Sequence, residues 1–141
     1  MRIADLLRNK GSAVATVEPS ATVADLIGAL ATHNVGAMPV VDDDVLVGIV
    51  SERDVVRRLH DGGSGLLELT VAEIMSSDVT TCEPGADVTE VARTMTAGRF
   101  RHLPVVDDGR LAGIVSIGDI VKARIDQLES EREQLQHYIA G

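Results

Sequence analysis

Pro39-Val40-Val41-Asp42-Asp43 and Gly48-Ile49-Val50-Ser51 return 65 positions later as Pro104-Val105-Val106-Asp107-Asp108 and Gly113-Ile114-Val115-Ser116. The same offset carries Glu18-Pro19 onto Glu83-Pro84 and Asp54 onto Asp119. A register kept without a gap over nearly all of both copies implies duplicated structure and a pseudo-symmetric interface between the copies. Interfaces of that kind are natural places for a ligand crevice.

Each copy, at roughly 60 residues, is near the lower limit for a self-sufficient core, so the copies are expected to share one. With 45% hydrophobic residues in 141 and only Phe100 and Tyr138 aromatic, the chain must be stabilised by packing of Val, Ile, Leu and Ala. The formal net charge of -9 argues against a general nucleic-acid or anionic-membrane binder, and the scarcity of aromatic rings removes the platforms that single strands use. Cys82 is the single cysteine, which excludes an intramolecular disulfide or a thiolate cluster for zinc and fits a reducing compartment. Residues 1–11 mix charges with Ile3, Leu6 and Leu7, as in a short amphipathic helix, and lack the apolar centre of a signal peptide. No apolar run approaches the roughly 20 residues that span a bilayer. A soluble, cytoplasmic protein is expected.

In the first copy an apolar lead strand, residues 14–17, precedes Thr22 and the helical stripe Val23, Leu26, Ile27 and Leu30, with Thr22 and Asp25 as a capping box. The second copy repeats this as Asp87 ahead of Val88, Val91, Ala92 and Met95, with Glu90 placed to reach back to free amides. Residues 37–41 and 45–50 read as antiparallel strands around an acidic turn, and Asp108-Gly109 is a favoured hairpin pair in the second copy. Pro39 and Pro104 cannot donate to a ladder, so each belongs at the start or exposed edge of its strand, leaving neighbouring backbone groups open to another partner such as a ligand. Ser51 and Ser116 each begin a helix, and the unit reads strand, helix, strand, strand, helix.

These elements divide the chain into a first unit with its leading helix (residues 1–61), a linker (62–69), a second unit (70–125) and a C-terminal helical extension (126–141). Gly62-Gly63-Ser64-Gly65 reads as a flexible joint, and residues 70–75 as a short helix leading into the second copy as Ile3 to Leu7 leads into the first. The last helix continues from Ile117 toward Ile139, with Val121, Ile125, Leu128, Leu135 and Ile139 in alternating four and three spacing, broken at Arg132. That pattern fits either a coiled-coil seam between subunits or an amphipathic helix lying on its own unit.

Gly48-Ile-Val-Ser51-Glu-Arg53-Asp54 and Gly113-Ile-Val-Ser116-Ile-Gly-Asp119 are the strongest local motifs. A serine at a helix start with a carboxylate three residues on is a capping box, and capping alone accounts for both residues.

The tandem unit, with its Pro-Val-Val-Asp-Asp strand, Gly-Ile-Val-Ser strand end and Asp three residues on, resembles the cystathionine-beta-synthase (CBS) domain pair, or Bateman module, over residues 14–124. The resemblance implies an α/β (α+β) fold in which each copy is a small mixed sheet of about three strands with two helices. It implies two copies packed sheet to sheet with two pseudo-symmetric crevices that often take adenosine nucleotides, and association as disc-like homodimers. It also implies that Asp54 and Asp119 accept from ribose hydroxyls, with Ser51 and Ser116 beside the sugar or phosphate. Backbone groups near Thr16, Thr81, Ala37-Met38-Pro39 and His102-Leu103-Pro104 would read an adenine edge inside aliphatic walls. Chemically this is sound, since an ionised carboxylate is an acceptor-only group suited to a vicinal diol.

The copies differ where Gly36-Ala37 in the first corresponds to Arg101-His102 in the second, with Arg99 nearby and Arg53 inside the first motif. Phosphate needs cations, so the family pattern implies that Asp54 shares a crevice with Arg101 and His102, while Asp119 faces Gly36 and Ala37. Unequal sites follow: the Asp54 crevice for a phosphorylated adenosine ligand, the Asp119 crevice weaker, empty or suited to less phosphate. AMP, ADP or ATP is the implied ligand class, with NAD or S-adenosylmethionine as further possibilities.

His33, His60 and His137 lie apart from carboxylates or cysteines at ligand spacing, so no metal site is expected. Asp42-Asp43-Asp44 lacks the glycine and distal glutamate of a calcium loop and reads as a solvated turn. No nucleophile triad, phosphate loop or paired-acid arrangement points to an enzyme. The competing readings are a nucleotide sensor that changes its dimer on binding and signals to a separate, unidentified protein, and a structural dimerisation module in which the motif residues only cap helices.

Overall fold

The computed structural model describes residues 1–11 and 13–140; Ser12, inside the first unit, and Gly141, the end of the expected extension, lie outside the described residues. The elements are α1 (Ile3–Lys10), α2 (Val23–His33), β1 (Ala37–Asp42), β2 (Val45–Ser51), α3 (Glu52–Gly62), a 3-10 helix (Gly63–Glu68), α4 (Val71–Ile74), α5 (Val88–Gly98), β3 (His102–Asp107), β4 (Arg110–Ser116) and α6 (Ile117–Ala140). The fold is the mixed α/β arrangement the duplication implies. Two hairpins join into one antiparallel sheet of order β1-β2-β4-β3, meeting where Val45 pairs with Arg110.

Turn chemistry builds the two hairpins by different residues. Asp108 and Gly109 have φ of 52° and 80°, and Asp43 and Asp44 reach 50° and 65°, so both turns carry the paired positive φ that matches strand twist. The acidic run at 42–44 is therefore a hairpin turn. In both copies the expected lead strand is reduced to one parallel bridge, Val17 to Val40 and Cys82 to Val105.

Pro39 and Pro104 lie inside the outer strands β1 and β3, each paired across to an isoleucine. Their amide-less edges face the lead segments, whose Val17 and Cys82 N–H groups donate to the Pro39 and Pro104 carbonyls at 3.1 and 3.0 Å. The neighbouring backbone expected to be open to a ligand is thus satisfied by the chain itself.

Helix caps follow the residues that announced them. Thr22 and Asp25 form the reciprocal box of α2. Asp87 caps α5 by accepting from the Thr89 amide at 2.7 Å, and the expected return bond from Glu90 is not made. Val23, Leu26 and Leu30 bury the inner face of α2, whereas Ile27 faces outward. On α3, Val56 and Leu59 are exposed rather than buried.

The cores show an exchange the sequence order concealed. Ile3, Leu6 and Leu7 of α1 pack with Val88, Val91, Met95, Leu103, Val105, Val115, Ile120 and Ala123, the core of the second copy. Val71 and Ile74 of α4 pack with Val23, Leu26, Leu30, Met38, Val40 and Val50, the core of the first. Backbone bonds repeat the exchange: Ala4 donates to Pro84 and Ala72 to Pro19, at 2.8 and 3.0 Å. Each lead helix therefore completes the opposite core, and each buried aliphatic side chain contributes about 1.5–3 kcal/mol.

The same contacts explain the motif glycines. A Cβ on Gly48 would stand 2.9 Å from the Ser76 carbonyl oxygen, and one on Gly113 would stand 2.8 Å from Leu7 Cδ2. Only glycine lets the exchanged segments cross β2 and β4 so closely.

The glycine joint is also ordered. Gly63–Glu68 forms the 3-10 helix, and Leu66 is buried in the first core, so one apolar anchor overrides the local flexibility of its glycines. α6 is anchored by Ile120 and Ala123 only. Beyond them Leu135, Tyr138 and Ile139 are 60, 85 and 78% exposed, so the outer half does not lie on its own unit.

Candidate nucleotide crevice

At the junction of β2 and α3, strand end and helix start place Ser51 and Asp54 together. The Ser51 amide and hydroxyl both donate to Asp54 Oδ2, at 2.8 and 3.0 Å, and the Asp54 amide donates to Ser51 Oγ at 3.3 Å. Capping is thus fulfilled, and it uses one oxygen. Asp54 Oδ1 accepts no hydrogen bond among the described residues, leaving a half-buried carboxylate oxygen available as an acceptor.

Asp54 lines a crevice of about 630 Å³ together with Gly36, Ala37, Ser51, Arg53, Arg57, Ser76, Arg99, Phe100, Arg101 and His102. That volume is of the size that takes small ligands. Four of the chain's 13 basic residues, Arg53, Arg57, Arg99 and Arg101, line it although the chain carries a net charge of -9. None of the four is ion-paired among the described residues. The facing acids are Asp54 and Glu52, so the wall is net positive with one carboxylate set apart in the helix cap.

Arg99 ends α5 in a left-handed conformation, φ 56°, which turns the chain so that Phe100 and Arg101 follow it onto the crevice wall. The Phe100 ring lies across Gly98, where any Cβ would overlap it. His102, half-buried at the first position of β3, pairs with Ser116. Burial holds its imidazole below the ordinary pKa; Lys10 and Arg101 push the same way, against Asp119 and Glu52. His102 is therefore neutral near pH 7 and stands between the surroundings of the two motif aspartates.

Asp119 repeats the capping geometry, accepting from the Ser116 amide at 2.8 Å while its own amide donates to Ser116 Oγ at 3.1 Å. Its surroundings differ. Lys10 Nζ donates to Asp119 Oδ2 at 2.5 Å and to the Ile114 carbonyl at 2.8 Å. Burial raises the Asp119 pKa, but hydrogen bonds from Lys10 and Ser116 together with the Lys10 charge outweigh it and hold the carboxyl below its usual value. Asp119 borders a smaller cavity of about 370 Å³ with Asn9, Lys10, Lys122 and Asp126.

Of the residues singled out in the sequence, Ala37, Ser51, Arg53, Asp54, Arg101 and His102 come together. Met38, Pro39, Leu103 and Pro104 are buried within β1 and β3 and do not line the crevice, and Thr16 lies in a separate depression with Val14, Val41 and Arg110. Thr81 is exposed and does not line the crevice. Gly36 and Ala37, expected opposite Asp119, instead line the Asp54 crevice because Ala37 pairs with Ser51 in the β1–β2 ladder. Sequence reading missed Arg57, Phe100, Ser76 and Lys10. A helix offset of four from Arg53 could have found Arg57; Lys10 carried no local signal.

Cys82 is half-buried beside the second core, and burial pushes its thiol up to about 11, so it is protonated and unreactive at neutral pH.

A duplicated hairpin-and-helix unit, with a capped aspartate facing a cationic wall across the seam, defines a tandem-repeat α/β module. The CBS domain family matches residues 4–61 and 71–126, and the chain belongs to that family. It is similar to a CBS-domain-containing protein of Agrobacterium tumefaciens, with 42% identity and a TM-score of 0.83 over 88% of this chain and 99% of that one. It is also similar to CBSX2, whose crystal structure is in complex with AMP (30% identity, TM-score 0.74, 89% of this chain and 96% of that one). A third likeness is to the CBS domain pair of protein MJ0100, in complex with 5-methylthioadenosine and S-adenosyl-L-methionine (26% identity, TM-score 0.76, 90% of this chain and 98% of that one). CBS pairs of this kind are regulatory rather than catalytic modules. Among the described residues, no helix is long and apolar enough to cross a membrane.

Proposed function

We propose that the Asp54 crevice binds an adenosine nucleotide and that binding is read out as a change in how the two copies, and two chains, sit together. Four arginines without an ionic partner among the described residues, facing a half-used carboxylate, are the observation that carries this reading. Asp54 Oδ1 accepts from the ribose diol, and Arg99, Arg101, Arg53 and Arg57 hold the phosphates, while Phe100 offers the adenine a ring face. Relatives that bind AMP or S-adenosylmethionine support the adenosine class. A coupling of about 1–3 kcal/mol between two arrangements would suffice for signalling to a partner protein.

The exposed apolar side chains of α3 and α6, Val56, Leu59, Val121, Ile125 and Leu128, support a homodimer in which these helices meet. They equally favour a second reading, a dimerisation module without ligand. A thermal-shift panel of AMP, ADP, ATP, NAD and S-adenosylmethionine on the wild type and Asp54→Ala separates the two. A rise in Tm with an adenosine nucleotide, absent in the variant, supports the sensor; no shift with any compound leaves the dimerisation module.

A further inference from the structure

α6 has two separate faces. Ile120 and Ala123 are buried in the core of the second copy and Gln127, one turn on, is half-buried, so this side faces the helix's own unit. Val121, Ile125 and Leu128 are exposed about a third of a turn away, at 3.6 residues per turn, and their stripe runs on through Arg132 to the exposed Leu135 and Ile139. In heptads, Ile125, Arg132 and Ile139 take the a positions and Val121, Leu128 and Leu135 the d positions. Arg124 and Glu131 are then at g and Glu129 at e. None of Arg124, Glu129, Glu131 and Arg132 has an ionic partner among the described residues.

We propose that this stripe of α6 pairs with the same stripe of a second copy as a parallel, in-register coiled coil. The proposal rests on the homodimer reading and gives that dimer its axis, along which both units lie at the same end. Charge and coverage favour this alignment over the others that bring a and d positions together. In the parallel pair every a and d residue meets its counterpart, and the g-to-e contact joins Arg124 to Glu129 of the second copy. The two Arg132 share one layer, a polar a position of the kind that fixes register at a cost in stability. Each can carry its guanidinium out of the seam on its aliphatic stem, toward Glu131 of the second copy. An antiparallel pair overlapping from Val121 to Ile139 instead opposes Glu129 to Glu129 and Glu131 to Glu131, and sets Leu128 on Arg132. An antiparallel pair centred between Ile125 and Leu128 matches Lys122 with Glu129 and Arg124 with Glu131. It leaves Leu135 opposite Gly118, however, and Ile139 beyond the start of the other helix at Ile117. Only the parallel alignment covers the whole stripe with unlike charges at its flanks.

Single cysteines on a Cys82→Ala background test the seam, with oxidised glutathione as oxidant and sedimentation to report the dimer. Leu135→Cys should link to itself, because a disulfide needs Cα atoms within about 7 Å and a d position meets its own counterpart only in the parallel pair. The link should form about tenfold faster or more than that of Ser130→Cys, which lies on the side of the helix away from the seam. Linking only in a mixture of Ile125→Cys and Leu135→Cys chains would assign the full antiparallel overlap, and only in a mixture of Ile125→Cys and Leu128→Cys chains the shorter one. Either result, or a sedimenting dimer in which Leu135→Cys links no faster than Ser130→Cys, overturns the parallel seam and leaves the homodimer standing. Charge exchange decides if the cysteine itself weakens the dimer. Glu129→Arg should raise the dimer dissociation constant by about tenfold and Arg124→Glu/Glu129→Arg should restore it, and a failure of the exchange to restore it overturns the seam. A monomeric wild type removes the seam and the homodimer together.

Discussion

Ser51 gives both its backbone N–H and its hydroxyl to a single oxygen of Asp54, so the cap and the free acceptor are two halves of one carboxylate. Helix stabilisation and ligand binding are therefore separable by mutation. Ser51→Ala removes one side of the cap and should cost about 0.5–2 kcal/mol of stability, with a smaller loss of nucleotide affinity than Asp54→Ala. Asp54→Ala should lose the cap and also weaken binding by about tenfold or more. Urea unfolding and calorimetry on both variants check this; equal loss of affinity in the two would contradict it.

Arg101 and Arg99 face the crevice without an ionic partner among the described residues, so their contribution should depend on phosphate. Arg101→Ala is expected to weaken AMP by about tenfold while leaving adenosine nearly unchanged. A parallel loss for both ligands would assign Arg101 a merely structural role.

His102 carries a pH dependence whose sign follows from its lowered pKa. Neutral in the free protein near pH 7, it gains a proton when a phosphate dianion settles beside it, so AMP should bind more tightly as pH falls from about 7.5 to about 6.5. His102→Gln should flatten that slope, and an identical slope in the variant would exclude His102. For folding the linkage runs the other way. The folded pKa lies below the unfolded one, so the contribution to stability is complete above about pH 6.5 and is lost as pH falls through the folded value. Urea midpoints of wild type and His102→Gln should diverge only on the acid side.

Gly48 and Gly113 lie under different kinds of atom. A Cβ at 48 meets the Ser76 backbone oxygen at 2.9 Å, and Ser76 is tied to Ile49 by two backbone bonds, whereas at 113 it meets the end of the Leu7 side chain at 2.8 Å. Both alanine variants should destabilise by about 1–3 kcal/mol, with Gly48→Ala the worse because backbone cannot turn aside as a leucine can. Chemical denaturation gives the ranking directly.

Truncation after Arg124 removes the outer, exposed part of α6 with Leu135, Tyr138 and Ile139. Sedimentation should show the proposed dimer weakened or lost. An unchanged dimer would show that the exposed residues of α3 and inner α6 suffice.

Much of this protein was settled by short-range information. Turn residues such as Asp108-Gly109, caps such as Thr22 with Asp25, and the 3.6-residue stripes of α2 and α5 act within a few positions, and repetition at an offset of 65 let each copy corroborate the other. The meeting of Asp54 with Arg101 and His102 on one crevice was expected only from the family resemblance, since no local pattern joins positions so far apart. Tertiary structure alone decided which lead helix fills which core, why Gly48 and Gly113 must be glycine, that Ala37 belongs to the Asp54 crevice, and that Lys10 holds Asp119. That last contact spans 109 positions. Side-chain periodicity carries no record of a neighbour so distant, because it depends on how the assembled cores carry α1 across the sheet.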